Sequence, residues 1–162
     1  MDLTKLAEYN LWANDKARNL LRGLTENEFS REVLPPYGNI RSLVAHIVMA
    51  IEINFVLRVD GGTIDADDLW ESLWRLPIGE LLDHWREMDL RLVRFASTHM
   101  GLDAVFPNFL GEGDIRVGHD DYFTQYLIHT VHHRAQVMSV LRLIGKEAIG
   151  TDYLFYLSSL AS

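Results

Sequence analysis

Apolar side chains recur at every third or fourth position in four long segments of the chain. This spacing is typical of helices that bury one face and expose the other. Each segment is bounded by residue types that start or stop helices, such as asparagine, aspartate, proline and glycine. The sequence therefore predicts four long helices, which cover residues 3–22, 39–57, 77–98 and 120–145.

Specific residues mark where two of these helices begin. Pro35 and Pro36 break the chain, so the second helix cannot start before them. Asn39 follows and is the expected cap of that helix, because its side chain can accept a hydrogen bond from the first turn. Asp120 or Asp121 is the expected cap of the fourth helix for the same reason.

The segments between the predicted helices differ in length and composition. Thr25 and Glu28 have the spacing of a capping box, which predicts a short helical turn after the first helix. Residues 61–76 begin with two glycines and include the acidic segment 65–68, so they predict a long connection between the second and third helices. The sequence leaves the role of this acidic segment open.

Two short elements complete the predicted fold. Residues 101–118 contain four glycines and predict an irregular loop or small hairpin. The apolar patch 153–157 predicts a short terminal helix, packed on the other helices or on a second copy of the chain. The predicted fold is all-α: a four-helix bundle with a long crossover between helices two and three, a short loop or hairpin before helix four, and a short C-terminal helix. We expect one domain over residues 1–162.

Composition and charge narrow the classes of function. Of the 162 residues, 48% are hydrophobic and 23% are charged, which is ordinary for a soluble globular protein. The net charge of -8 argues against a nucleic-acid or anionic-membrane partner, because such partners require a basic face. The N-terminus lacks the pattern of a signal peptide, and no apolar run reaches the ~18 residues that span a bilayer. We therefore expect a cytoplasmic protein.

The chain has no cysteine, so disulfides, thiolate metal sites and a cysteine nucleophile are all excluded. Any metal ion must use nitrogen or oxygen ligands. No glutamate stands three residues before a histidine, so the paired motif of di-iron helical bundles is missing and a second ion is not expected. Motifs of zinc peptidases, serine hydrolases and phosphate-binding loops are also absent.

Histidines are the strongest candidates for metal ligands. His129 and His133 are four residues apart on a predicted helix, so both side chains lie on one face and can converge on one ion. His46 is the best third ligand, because it lies in the apolar stripe of the second helix, where an unpaired imidazole is costly to bury. The spacing alone leaves open whether these are ligands or ordinary core and surface histidines.

A family resemblance favours the interpretation of these histidines as metal ligands. Residues 9–14 (Tyr-Asn-Leu-Trp-Ala-Asn), residues 42–46 followed by Glu52, and residues 129–136 together resemble the DinB family of small bacterial metalloproteins with helical-bundle folds. The resemblance spans nearly the whole chain, and the last motif is the most specific. Ala135 stands where the family usually has glycine, a small departure that leaves the histidines untouched.

The resemblance implies that His46, His129 and His133 bind one divalent metal ion. Zinc or nickel is expected, with iron or copper as alternatives, because imidazole ligands suit all four metals. The family also implies a homodimer and a small-molecule substrate, since characterised members include metal-dependent transferases and isomerases that use a low-molecular-weight thiol. Many other members have no assigned reaction.

Two neighbours of the histidine pair have expected roles outside the ligand set. Gln136 lies one turn from His133, so it is a candidate to orient a ligand or a bound water, although plain helix packing is an equal alternative. His132 points beside the site and is expected to be packed or hydrogen-bonded.

Other aromatic and histidine side chains have two interpretations. Aromatic residues at helical spacing are usually core, and the alternative is a substrate pocket. The pocket candidates are Tyr9, Trp12, Tyr122 and Tyr126. The remaining histidines are expected to be solvated on a charged helix or in loops. These are His84, His99 and His119.

Three functional hypotheses follow. Three imidazoles leave an open coordination position, so the leading one is a metal-dependent enzyme, such as an S-transferase, isomerase or hydrolase. It would activate a small thiol, or water, for transfer to a small electrophile. The alternative is a non-catalytic metal-binding or stress-response protein that acts through a protein partner. A third hypothesis is a helical dimerisation module without metal.

Overall fold

A computed structural model describes residues 2–33, 38–98, 103–108 and 110–161. Within them the chain is mostly helical and carries one small sheet. The helices are α1 (Leu3–Leu21), α2 (Glu26–Phe29), α3 (Ile40–Asn54), α4 (Ala66–Arg75), α5 (Ile78–Thr98), α6 (His119–Leu143) and α7 (Tyr153–Leu160), and the strands are β1 (Asp103–Pro107) and β2 (Asp114–Gly118). The predicted proline break at 35–36, His99 and the start of the 101–118 segment lie outside the described residues.

The caps that the sequence predicts for the first half of the chain are present. Thr25 and Glu28 form the capping box of α2, with both reciprocal hydrogen bonds in place. The side chain of Asn39 accepts a hydrogen bond from the backbone N–H of Ser42 and caps α3. After Asn54 the helix widens into one π-helical turn, Phe55–Val59, which extends it slightly beyond the predicted end at residue 57.

The connection between α3 and α5 contains a helix that the sequence interpretation missed. The carboxylate of Asp65 accepts hydrogen bonds from the N–H groups of Asp67 and Asp68, so it caps α4. The other two aspartates lie in the first turn, where negative charge is favourable. The acidic segment is therefore the start of a helix. The sequence interpretation missed it because the flanking glycines and Pro77 suggested an irregular connection.

The start of α6 differs from the prediction by one or two residues. The helix begins at His119, after Gly118, and Asp120 and Asp121 lie in its first turn without acting as its cap. The expected termination near Gly145 is confirmed. The φ angle of Gly145 is 79°, a left-handed conformation that glycine adopts without strain, and Lys146 N donates to Leu141 O at 2.8 Å.

The four long helices surround one apolar core. Helix α1 packs against α5 and α6, and α3 packs against the same two helices from the other side. Helix α4 lies on α3, and α7 lies on α1. The predicted hairpin is present: β1 and β2 pair antiparallel from Asp103 opposite Gly118 to Pro107 opposite Asp114. It contacts α6 and the π turn, and so covers the end of α6 where that helix begins.

A buried polar network joins α1, α5 and α6. Asp89 is 1% exposed and accepts hydrogen bonds from Arg18 Nη1 at 2.5 Å and from Asn14 Nδ2 at 3.0 Å. Arg134, the residue after His133, donates to Asn14 Oδ1 at 2.7 Å and to Asn10 Oδ1 at 3.0 Å. Because these contacts pair buried polar groups that would be costly if left alone, they fix α6 against α1.

The span Ile40–Val59 is apolar and long enough to cross a membrane by length and composition, contrary to the sequence-based expectation that no such segment exists. The mean hydropathy of the span is high because its apolar side chains outnumber its polar ones. Half of the span is buried inside the protein, where its apolar side chains form part of the core. This is the behaviour of a core helix in a soluble protein.

Candidate metal centre

The structure brings His46, His129 and His133 together at the interface of α3 and α6. One ring nitrogen from each histidine lies within 4.8 Å of the other two. The closest pair is His46 Nε2 and His129 Nε2, which are 3.1 Å apart. Ligands at 2.0–2.1 Å from a tetrahedral ion stand about 3.3 Å from one another, so the cluster has the scale of a single-ion site.

Local geometry explains this convergence. His129 and His133 lie one turn apart on α6, and their ring centroids are 4.4 Å apart. His46 reaches them because α3 packs directly against α6. Its ring centroid is 4.6 Å from that of His133 and 5.0 Å from that of His129. All three side chains are half-buried.

Burial favours the neutral form of each imidazole. It lowers the pKa of His46 and of His133 below the usual value of a histidine. Burial, together with the neighbouring His133 and His46, lowers the pKa of His129 to about 4. Neutral imidazoles have the free lone pair that a metal ion requires, so the donor set fits a divalent cation at neutral pH.

Gln136 is in contact with the cluster. His133 Nδ1 lies 2.6 Å from Gln136 Oε1, so the ring donates its Nδ1 proton to the amide oxygen and keeps the Nε2 lone pair free. The amide nitrogen of Gln136 lies 3.1 Å from His132 Nε2 on the exposed side of the helix. The Nδ1 atom of His129 is buried and has no hydrogen-bond partner among the described residues.

A cavity of about 620 Å³ opens beside the histidine cluster. His129 lines it, as do Tyr122 and Tyr126 from the preceding turns of α6. Its apolar wall comes from α3 and the hairpin. That wall includes Ala50, Ile53, Phe106, Pro107, Ile115 and Val117. The polar lining residues are Asn54, Arg58, Asp121 and Gln125. The cavity is therefore mostly apolar, with a few polar groups and one side of the histidine cluster on its wall.

The structure places Tyr9 and Trp12 away from this cavity. The hydroxyl of Tyr9 donates to the backbone oxygen of Thr151 at 2.8 Å and accepts from Arg134 Nη2 at 3.2 Å. The ring of Trp12 packs against Tyr156 of α7, with centroids 5.7 Å apart. Both aromatic side chains therefore join α1 to the C-terminal part of the chain.

Two histidines that were expected to be solvated are not. His119 is 7% exposed, and its ring is close to the rings of Phe95 and Phe123, with Nε2 3.3 Å from Phe95 O. His84 is half-buried, and its Nε2 lies 2.8 Å from Glu52 Oε2. The Glu52 carboxylate at this distance raises the pKa of His84. The packing of α5 against α3 covers His84, and the rings of Phe95 and Phe123 cover His119, although a charged sequence context suggested that both positions were exposed.

Arg58 is a cavity residue that the sequence interpretation missed. It follows the apolar stripe of α3 and belongs to no motif. Only the π turn and the hairpin bring its guanidinium to the cavity wall, where it lies over the ring of Phe106 at 3.9 Å from the centroid. An isolated arginine gave no signal from which this position could be inferred.

Comparison with known proteins agrees with the motifs. A family model described as the DinB family matches residues 1–160. The protein named Protein DinB from Bacillus subtilis (strain 168) is 23% identical over 159 residues, and the alignment covers 94% of this chain and 92% of that protein. Both matches span nearly the full chain, and the range of the family model contains the positions of all three clustered histidines. The chain therefore belongs to the DinB family.

Proposed function

We propose that this protein binds one divalent metal ion through His46, His129 and His133 and is a metal-dependent enzyme. The reaction we propose is activation of a small thiol, or water, for transfer to a small electrophile. The observation that carries the proposal is the position of His129, which belongs to the histidine cluster and also lines the 620 Å³ cavity. A group bound at the cluster would meet a molecule held in the cavity.

The side chains around the cluster have distinct tasks in this proposal. A divalent ion bound by three neutral imidazoles keeps an open coordination position and lowers the pKa of a thiol or water that binds there. Gln136 orients His133 through its Nδ1 proton. The apolar wall from α3 and the hairpin limits the access of bulk water.

The thiol would come from a small molecule, because the chain has no cysteine. Zinc or nickel fits an all-nitrogen donor set, and iron or copper is compatible with it. The resemblance to thiol-dependent members of the DinB family supports a thiol over water.

Three broader features belong to the same proposal. We interpret the four long helices and their mutual packing as a four-helix bundle. We also propose a homodimer in the cytoplasm, without nucleic acid or membrane as a partner. Support for the dimer comes from large apolar side chains that α7 leaves exposed, which are Leu154, Phe155 and Leu160.

The reaction can be tested with purified protein that is stripped of metal and reloaded with zinc or nickel. Each form is assayed with bacillithiol, mycothiol or glutathione and a model electrophile. We expect turnover that depends on metal and is lost in His129→Ala, but persists in His132→Ala, which removes the neighbouring exposed imidazole. Absence of metal-dependent turnover with every thiol, and with water, would contradict the enzyme. If the unaltered protein shows no turnover but binds a protein partner, and His129→Ala loses that binding, the non-catalytic alternative would be favoured.

A further inference from the structure

Arg58 is held in a defined position on the cavity wall. Its Nε donates to Asn54 Oδ1 at 3.0 Å, and its Nη1 donates to the backbone oxygen of Val105 on β1. Its guanidinium also lies over the ring of Phe106. The residue belongs to the π turn Phe55–Val59, and such turns are frequent at functional sites. These contacts orient the guanidinium before any ligand arrives.

The charge of Arg58 is not neutralised by the protein around it. Among the residues that the structure describes, no carboxylate lies within ion-pair distance of its guanidinium. Several other arginines, including Arg18, Arg41 and Arg91, each pair with an acidic side chain. A half-buried guanidinium with unused N–H donors on a mostly apolar wall is a binding group for an anion.

The spacing of residues along α3 and α6 gives the approximate length of a ligand that reaches from Arg58 to the histidine cluster. Arg58 is fixed through Asn54, which lies two turns beyond His46 on α3, roughly 12 Å along the helix axis. Tyr122 lies about 10 Å before His129 on α6, and it lines the same cavity. Gln125 lies on α6 between the two ends, and the rest of the wall between them is mostly apolar.

Tyr122 adds a second polar group at the end of the cavity away from the cluster. The residue is 0% exposed, and its hydroxyl is buried with no hydrogen-bond partner among the described residues. An unpaired buried hydroxyl is costly, so a ligand that reached it through a small shift of the surrounding side chains would gain a hydrogen bond. Desolvation raises the pKa of Tyr122 far above the usual value, which keeps the hydroxyl protonated as a donor.

We propose that Arg58 binds the carboxylate of an elongated small molecule, with Tyr122 supporting the same end, while the other end of the molecule reaches the histidine cluster. The substrate class is therefore a small acid with one carboxylate, an apolar middle and a metal-binding group about 10 Å away. The metal-binding end rests on the proposed function, whereas the carboxylate end does not.

The cavity limits the charge of this molecule. Asp121 also lines the cavity and would repel additional negative charge near it. The planar guanidinium matches the two oxygens of a carboxylate. A single carboxylate on an apolar chain therefore fits the lining better than a phosphate or a multiply charged acid.

Binding of hexanoate and hexanol to metal-free protein, measured by calorimetry or ligand-observed NMR, tests the carboxylate end. We expect hexanoate to bind more tightly than hexanol, and Arg58→Gln to weaken hexanoate by about tenfold while leaving hexanol unchanged. Arg58→Lys should recover part of the affinity, because it keeps the charge without the planar fork. Tyr122→Phe should weaken hexanoate by a smaller factor.

The matched control is Arg116→Gln. Arg116 lies on β2 between two cavity residues, Ile115 and Val117, but its side chain is on the opposite face of the strand and 74% exposed. Equal effects of Arg58→Gln and Arg116→Gln on hexanoate would overturn the proposal. So would equal binding of hexanoate and hexanol to the unaltered protein, a comparison that decides the matter even if Arg58→Gln fails to fold.

A second arm separates this proposal from the proposed function. Metal-loaded protein is titrated with mercaptohexanoate, mercaptohexanol and mercaptoacetate, the last being too short to reach both ends. We expect mercaptohexanoate to bind best, and Arg58→Gln to abolish only its advantage over mercaptohexanol. If metal strengthens the binding of both long thiols equally and neither thiol is preferred, the proposed carboxylate site is contradicted and the proposed metal site is supported. If the protein still prefers hexanoate to hexanol but metal strengthens the binding of no thiol, the proposed open metal site is contradicted and the proposed carboxylate site is supported.

Discussion

At the scale of single residues, the candidate site was only partly predictable from the sequence. His129 and His133 follow from helix geometry, because a spacing of four places both on one face of any helix. His46 was predicted from its place in the apolar stripe of α3 and from the family resemblance, since only the packing of α3 on α6 brings it to the pair. Arg58 could not be predicted, because its position depends on a π turn and on a hairpin far along the chain.

Gln136 offers a prediction about metal affinity. Gln136→Ala removes the acceptor that holds His133 Nδ1 at 2.6 Å, so the imidazole is less well oriented. We expect metal affinity to fall by roughly 10- to 100-fold, as measured by competition with a chromogenic chelator. Gln125→Ala, a substitution on the same helix at a cavity residue outside the cluster, should leave the affinity unchanged. Equal losses in the two variants would show that the contact with His133 is not what matters.

His84 and Glu52 provide a prediction about pH. In the folded state the adjacent Glu52 carboxylate raises the pKa of His84, so the pair stabilises the fold below the ordinary histidine pKa of about 6.5. That stabilisation is lost as the pH rises through the raised pKa. The free energy of unfolding should therefore differ between unaltered protein and Glu52→Gln by about 1 kcal/mol or less near pH 5.5, and the difference should shrink by about pH 9. A difference that grows with pH would contradict this assignment.

At the scale of secondary-structure elements, apolar periodicity predicted the long helices well because each buries a continuous stripe. It missed α4, where flanking glycines and a following proline suggested an irregular connection. The predicted aspartate cap of α6 was wrong because the helix begins earlier, directly after the hairpin. Gly118 ends β2 and precedes the helix directly, so the hairpin, rather than a capping side chain, sets where α6 begins.

The cap of α4 can be tested by substitution. Asp65→Ala removes the carboxylate that accepts hydrogen bonds from two first-turn N–H groups. We expect the free energy of unfolding to fall by about 1 kcal/mol in urea titrations. Asp67→Ala is the matched control, because it removes an equal charge from the same turn but no cap, and its effect should be smaller. A larger loss in the control would contradict the capping role.

At the scale of the whole molecule, the interior combines an apolar core with the polar network around Asp89. The sequence motif in α1 supplies Asn10 and Asn14 to this network, so part of the family resemblance reflects folding and not the metal site. Arg134 occupies the network while His133, its neighbour in sequence, belongs to the metal cluster. Periodicity could not assign these roles, because it does not distinguish a buried polar residue with partners from an exposed one.

Asp89→Ala tests the contribution of this network to stability. The substitution removes the buried partner of Arg18 at 2.5 Å and leaves it only the partly exposed Asp15 at 2.8 Å, so the free energy of unfolding should fall by about 3 kcal/mol. Asp83→Ala on the same helix breaks an exposed ion pair with Arg22 and should change the free energy of unfolding by less than about 1 kcal/mol. Similar values for the two variants, measured by chemical denaturation, would show that the buried network contributes little.

The most direct test of the metal site is the number of ions bound by each chain. Elemental analysis of untagged protein, supported by titration of metal-free protein with zinc and nickel, should give one tightly bound ion per chain. His46→Ala and His129→Ala should each lose that ion, whereas His132→Ala should keep it. Protein without stoichiometric metal, or His46→Ala protein that retains its ion with undiminished affinity, would contradict a site built from the three histidines.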